Sequence, residues 1–204
     1  VDIAGLVKGA AQGEGLGNRF LAHIREVDAI VFVLRAFVDD DVPGSSDPVE
    51  QLSTLEVELI YSDLETLEKQ VDKRRKAGKG DKTILAEVDA MERAISHLQA
   101  GTAIYRSDLD EDARDLLKPY FLLTNKPAMA VVNIDESQLD DADAVIAPVV
   151  AEMGGSAEVI AACVQLEAEA VLLDPSERAE MLDALGLAET TPGPVIQPWV
   201  TDLV

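Results

Sequence analysis

Met129-Ala130-Val131-Val132-Asn133-Ile134-Asp135-Glu136 is an apolar, partly β-branched run that stops abruptly on polar side chains. Its apolar part, with Ala128 before it, reads as a strand from Ala128 to Val132. A helical stretch from about Asp140 to Glu152, a strand from Ala157 to Ala162 and a helix capped by Asp174-Pro175 and stopped at Gly186 follow. Upstream, Val1 to Ile3 reads as a strand end, and Asn18 can cap a helix from Arg19 to Val27. Ala29 to Phe37 reads as another strand, buried on both faces. Strands alternating with helices predict an α/β fold with a mostly parallel sheet covered on both sides. Ligands of open parallel sheets bind at the carboxyl ends of strands, which places Asn133-Ile134-Asp135-Glu136 at a ligand site.

Between these strands lies a different pattern. Asp47-Pro48 is a helix start, and Leu52, Leu55, Leu59, Leu64, Leu67 and Val71 recur mostly at three- and four-residue steps. Ala77 to Gly80 breaks the pattern, Asp81 can cap a second helix, and Ile84, Val88, Met91, Ile95 and Leu98 step 4, 3, 4, 3. Two heptad-like seams joined by a short glycine turn predict an antiparallel helical hairpin, a coiled-coil insertion in the sheet. A short helix from about Asp108 to Lys118 leads back.

The chain has 204 residues, 48% hydrophobic, with 39 Asp and Glu against 17 Lys and Arg and a formal net charge of -22. A surface this acidic repels phosphate backbones, which argues against DNA and against general nucleic-acid coating. Seven of the seventeen cations nevertheless fall within fourteen residues at the hairpin turn: Lys69, Lys73, Arg74, Arg75, Lys76, Lys79 and Lys82. That cluster reads either as a solvated tip or as a contact surface. No apolar run approaches the roughly 20 residues that cross a bilayer. Cys163 is the single cysteine, which excludes an internal disulfide and fits a reducing cytoplasm. The chain opens on Val1 inside a strand, which predicts a fragment.

Three short motifs carry chemistry. Asp2-Ile3-Ala4-Gly5 stands at a strand end, where P-loop nucleotidases place an aspartate on Mg²⁺ and a glycine whose N–H approaches the γ-phosphate. About one D-x-x-G arises by chance in a chain of this size. Gly9, Gly13, Gly15 and Gly17 suit a mobile switch segment or a plain surface loop. Asn133 with Glu136 stands where GTPases carry N-K-x-D. A carboxylate cannot grip adenine, with one donor and one acceptor on that edge, as it grips guanine. Asn125-Lys126-Pro127-Ala128 begins like N-K-x-D but lacks the acid and precedes its strand, so it is set aside.

In family order these motifs resemble the Obg-like ATPase (YchF) family. The opening stretch Val1 to Ile30 is similar to its Mg²⁺-binding and switch region. Ser62 to Lys69 and Gly80 to Lys82 resemble its hairpin, and Leu122 to Glu136 its base-reading strand. Ala157 to Glu169 resembles its last nucleotide loop, with Cys163-Val164 where the family has a small residue and alanine. The resemblance runs from Val1 to about Leu187. It implies a P-loop (Ras-like) fold, N-terminally truncated, divided into 1–44 (Mg²⁺ and switch region), 45–105 (hairpin), 106–187 (remaining nucleotide-binding domain) and 188–204 (unmatched tail).

The resemblance also implies a cytoplasmic, Mg²⁺-dependent ATPase associated with ribosomes. Asp2 would serve the metal, and Gly5 the γ-phosphate. Asn133 and Glu136 would serve the base, backed by Cys163 and Val164. Leu6 stands where Ras-like proteins have a water-orienting glutamine, and His23 matches a family histidine assigned that role. Read from the residues alone, His23 is an ordinary helix residue. The phosphate loop G-x-x-x-x-G-K-[ST] and the C-terminal TGS domain of the family are not in this sequence, and a truncated or frame-shifted gene would explain the tail. A GTPase of the Obg or Drg type, or a non-catalytic module built on the hairpin, are the alternatives. Lys73, Arg74, Arg75, Lys76 and Lys79 are the expected contacts to the ribosome, through its RNA or its protein.

Overall fold

The computed structural model describes residues 24–184 except Asp40, Lys79, Gly80 and Ser156. The expectations for Asp2, Gly5, Leu6, His23, the glycine-rich stretch and the tail therefore lie outside the described residues. The chain divides into two compact units.

The first unit is helical and is built on residues Leu52–Ala128, with 24–30 and Met153–Ala157. Helix α1 (Pro48–Ala77) begins as the sequence anticipates. Asp47 Oδ1 accepts from the N–H groups of Val49 and Glu50 at 2.8 and 3.3 Å. Thirty residues make an arm of about 45 Å. Helix α2 (Lys82–Gln99) is capped by Asp81, whose side chain accepts from Thr83 and Ile84. Gly78 makes the turn possible by close approach, because a Cβ there would lie 2.7 Å from Ile84 Cγ2. The apolar faces of both helices are interrupted by buried acids, Glu56 and Asp63 on α1 and Glu87 on α2. Each is matched by donors. Glu56 accepts from the Tyr105 hydroxyl and from Arg106 at 3.1 and 2.8 Å. Glu87 accepts from the Tyr120 hydroxyl and pairs with Arg74 at 3.1 Å. Helix α3 (Glu111–Leu117) packs on α2 and is capped by Asp110.

The second unit holds the sheet. Strand β1 (Ile30–Arg35) lies beside β2 (Ala128–Asn133), which lies beside β3 (Glu158–Ala162). The β2–β3 pair is parallel, in a register that sets Met129 opposite Glu158 and Asn133 opposite Ala162. Ile30 N donates to Pro127 O and Ala36 N to Asn133 O, both at 2.9 Å, so β1 advances with β2 and is parallel to it. Helix α4 (Ala142–Glu152) packs on β3 as the crossover from β2. Helices α5 (Val164–Val171) and α6 (Pro175–Ala184) follow β3. On one face of the sheet Met129, Val131 and Ala162 form a buried cluster joined by Ile160.

The α/β class, the parallel sheet and the inserted hairpin are those read from the sequence. The burial of β1 is not. Phe32 and Leu34 are buried, but Val31 and Val33 are 45% and 65% exposed. β1 thus alternates, and among the described residues only one of its faces is covered. An unbroken apolar run cannot distinguish a strand buried on both faces from one whose second face lacks a neighbour.

Candidate functional site

The polar ends of the three strands are tied together by the backbone. Beyond Asn133, Ile134 N donates to Ala162 O at 3.0 Å, which extends the β2–β3 ladder by one step. Asn133 O accepts from Ala36 N at the end of β1. The chain then turns into a 3-10 helix (Glu136–Asp141) capped by Asp135. Asp135 Oδ1 accepts from Ser137 N at 2.9 Å, and Gln138 reaches back so that its Oε1 accepts from Asp135 N at 2.8 Å. The same Gln138 donates from Nε2 to Ala36 O at 3.0 Å, bracing the turn against the end of β1.

This arrangement assigns different tasks to neighbouring side chains. The Asp135 carboxyl is held below its ordinary range by the hydroxyl and N–H of Ser137, and its work is structural. Ile134 is 2% exposed and points into the core. Glu136 is exposed, at the start of the turn. Asn133 is half-buried, and its Oδ1 accepts from Val164 N at 3.2 Å. That bond orients the amide and leaves its Nδ2 as a donor at the sheet end. Cys163 is buried in the cap position of α5, with its carbonyl accepting from Glu167 N at 3.1 Å, and Val164 is 45% exposed beside it. Four of the expected site residues, Asn133, Glu136, Cys163 and Val164, therefore stand on the two adjacent strand ends. Such an edge offers one oriented donor, one carboxylate and an apolar flank, a set suited to a planar heterocycle with both donor and acceptor atoms.

Asp2, Gly5 and His23 lie outside the described residues. Among the described residues no group of three His, Cys, Asp or Glu side chains could hold a metal ion. No helix among them is long and apolar enough to cross a membrane.

The hairpin tip looks different in structure than in sequence. Arg74 donates to Tyr120 Oη at 2.8 Å and pairs with Glu87. Arg75 pairs with Asp72 at 3.2 Å and with Glu92 at 2.5 Å, and Lys69 with Glu65 at 2.6 Å. Three of the cluster's cations thus face carboxylates of the hairpin itself. Lys73, Lys76 and Lys82 are exposed, and no ion pair is formed by them among the described residues. Periodicity alone could not separate the two groups, because adjacent residues on one turn point in different directions.

Two residues that sequence reasoning missed carry much of the first unit's polar structure. Arg25 reaches Ser62, Thr66 and Phe121, and Lys126, from the motif set aside above, reaches the backbone of Arg25 and Val27. The one available signal was Asp63, a charge within the apolar repeat Leu59 to Leu67.

A three-stranded parallel sheet with an inserted helical hairpin, and a polar edge at its strand ends, matches the architecture of a P-loop GTPase fold. No family model matches the chain. "Ribosome-binding ATPase YchF" of Bacillus subtilis is 38% identical over 198 residues, covering 93% of this chain and 54% of that protein. The protein of the same name from Pasteurella multocida is 41% identical over 196 residues, covering 93% and 53%. "Obg-like ATPase 1" of Oryza sativa subsp. indica is 42% identical over 140 residues. Among solved structures, the Schizosaccharomyces pombe YchF GTPase superposes with a TM-score of 0.75 at 30% identity, covering 96% of this chain and 56% of that one. Over the stretch it shares with these proteins, the chain belongs to the Obg-like ATPase (YchF) family. It spans about half the length of the curated relatives it matches.

Proposed function

We propose that this chain is the base-reading half of a cytoplasmic, ribosome-associated ATPase in which Asn133 and Glu136 select adenine. The supporting observation is the sheet-end geometry. Val164 N fixes the Asn133 amide at 3.2 Å, Asp135 is committed to its turn, and Glu136 is the carboxylate left free to read the base. The names of the relatives differ on the nucleotide, ATPase for the bacterial proteins and GTPase for the yeast one. Glu136 favours ATP, because the paired guanine donors need an aspartate at that position and adenine presents one donor and one acceptor.

Asp2 is the candidate Mg²⁺ ligand, Gly5 the candidate γ-phosphate donor and His23 the candidate group that orients the attacking water. When bound, the ion would neutralise charge developing on the phosphates. In sequence the domains run 1–44, 45–105, 106–187 and 188–204. The phosphate-loop motif, whose lysine and N–H groups supply most phosphate contacts, is not in this sequence. The 204-residue chain is accordingly expected to bind ATP more weakly than micromolar. Calorimetric titration checks this, and a micromolar constant would contradict it. In a protein that carries the loop, ATP should displace GTP. Competition binding in which GTP wins tenfold would overturn the base assignment.

A second reading, an interaction module without catalysis, is favoured by one observation, the separation of the tip cations. Lys73, Lys76 and Lys82, with Lys79, are the proposed contacts to ribosomal RNA phosphates. Arg74 and Arg75 belong to the hairpin's own ion pairs.

A further inference from the structure

In sequence, the segment 24–28 follows the glycine-rich stretch and His23. One side chain holds it to the hairpin. Arg25 NH2 donates to Ser62 O and Oγ at 3.2 and 2.7 Å and to Thr66 Oγ1 at 3.0 Å, all on α1. Its NH1 donates to Phe121 O at 3.1 Å, and Asp63 lies 3.7 Å away. Phe121 holds a left-handed backbone at φ 51, uncommon outside glycine, and it is the residue whose carbonyl meets the guanidinium. Lys126 closes the circuit. Its Nζ donates to Arg25 O at 3.1 Å and to Val27 O, capping the carbonyls at the end of the turn. Asp63, fully buried, accepts from Leu123 N at 2.9 Å and from Thr124 N and Oγ1 at 2.7 and 2.8 Å. Three segments far apart in sequence, 24–28, 62–66 and 121–126, thus share one polar joint.

Simple anchoring of a turn does not call for this chemistry. Apolar side chains of similar volume hold a segment equally well, without desolvating three charges. What a guanidinium fork adds is a discrete geometry, either engaged with its acceptors or released from them. We infer that Arg25 couples the hairpin to the segment that follows the glycine-rich stretch, so that a partner on the hairpin and a change at residues 24–28 bias one another. The inference rests on the proposed ribosome partner for its physiological input, but the joint can be tested without it. Coupling of this kind is reciprocal, because a joint stabilised from either end is stabilised for both.

Two amides report on the segment, Val27 N–H on Ile24 O at 3.3 Å and Ile30 N–H on Pro127 O at 2.9 Å. Their hydrogen exchange is measured by NMR in the full chain, in Arg25→Gln and in the hairpin-side variant Ser62→Ala/Thr66→Val. Either change should speed exchange of both amides by about tenfold, and combining the two should add less than about twofold. Normal protection in Ser62→Ala/Thr66→Val, or additive effects, would overturn the coupling. The hairpin-side variant keeps Arg25 and Asp63, so it distinguishes loss of the joint from loss of the fold. A second arm adds purified ribosomes. In wild type they should slow exchange at Val27 about fivefold, and in Arg25→Gln co-sedimentation should persist while the slowing disappears. Wild-type chain that co-sediments with no change at Val27 contradicts the inference. Chain that fails to co-sediment contradicts the ribosome reading instead, and the variant series then decides the joint by itself.

Discussion

Asp63, in the middle of the hairpin's first helix, and Asn133, at the end of the central strand, are both polar residues set among apolar neighbours. Asp63 is fully buried, with four donors around its carboxylate, from Leu123, Thr124 and Arg25. Burial pushes its carboxyl above the ordinary range, against the pull of those donors. Asn133 has one accepted bond fixing its amide, and its Nδ2 remains at the open end of the sheet. Glu56 and Glu87 repeat the first pattern, and Glu136 is exposed beside Asn133. In the helical unit, the buried carboxylates Glu56, Asp63 and Glu87 are matched internally and hold segments together. At the strand ends Asn133 is oriented but incompletely matched, which is the condition for recognising something outside the chain.

Substitutions should divide along the same line. The largest effect is expected for Asp63→Ala, which orphans the Leu123 and Thr124 N–H groups and leaves Arg25 without its carboxylate. A loss of about 3–5 kcal/mol is expected, read as a shifted urea midpoint. Glu136→Ala should leave that midpoint unchanged within error, and an equal loss at both positions would erase the distinction. Next comes Gly78→Ala. Its Cβ would meet Ile84 Cγ2 at 2.7 Å and Arg74 O at 3.2 Å, for an overpacking cost of about 1–3 kcal/mol by thermal unfolding. Smallest in stability, but specific in binding, is Lys73→Gln/Lys76→Gln/Lys82→Gln. The fold should be untouched, while the salt dependence of ribosome co-sedimentation should flatten by roughly 2–3 in log–log slope. Arg75→Gln should leave that slope nearly unaltered, because its charge already faces Glu92 at 2.5 Å. A slope that responds equally to both would restore the undivided cluster.

Much of this was legible in sequence where periodicity and capping agree. Asp47-Pro48, Asp81 and Asp174 open helices as their side chains predict. The run from Met129 to Val132 is buried on both faces, as an apolar run without alternation implies. The strand-end placement of Asn133 and Cys163 followed from where the apolar runs stop. What stayed hidden depends on residues distant in the chain. β1 resembles β2 in composition, but among the described residues only one of its faces is covered, as the exposure of Val33 shows. Arg74 and Lys73 are adjacent cations, and only the third dimension shows that Glu87 and Tyr120 stand before one of them. Lys126 looked like a misplaced base-reading motif, and its partners lie about a hundred residues upstream.

The central claim, that Asn133 and Glu136 form an adenine-reading edge, can be tested on the chain as it stands, because millimolar contacts remain visible by NMR. The side-chain amide of Asn133 and the backbone amide of Val164 are followed while ATP or GTP is titrated in. Both signals should shift with ATP and saturate at lower concentration than with GTP, and Glu136→Gln should remove the difference. GTP saturating the same signals at tenfold lower concentration, or neither nucleotide moving them, would contradict the assignment.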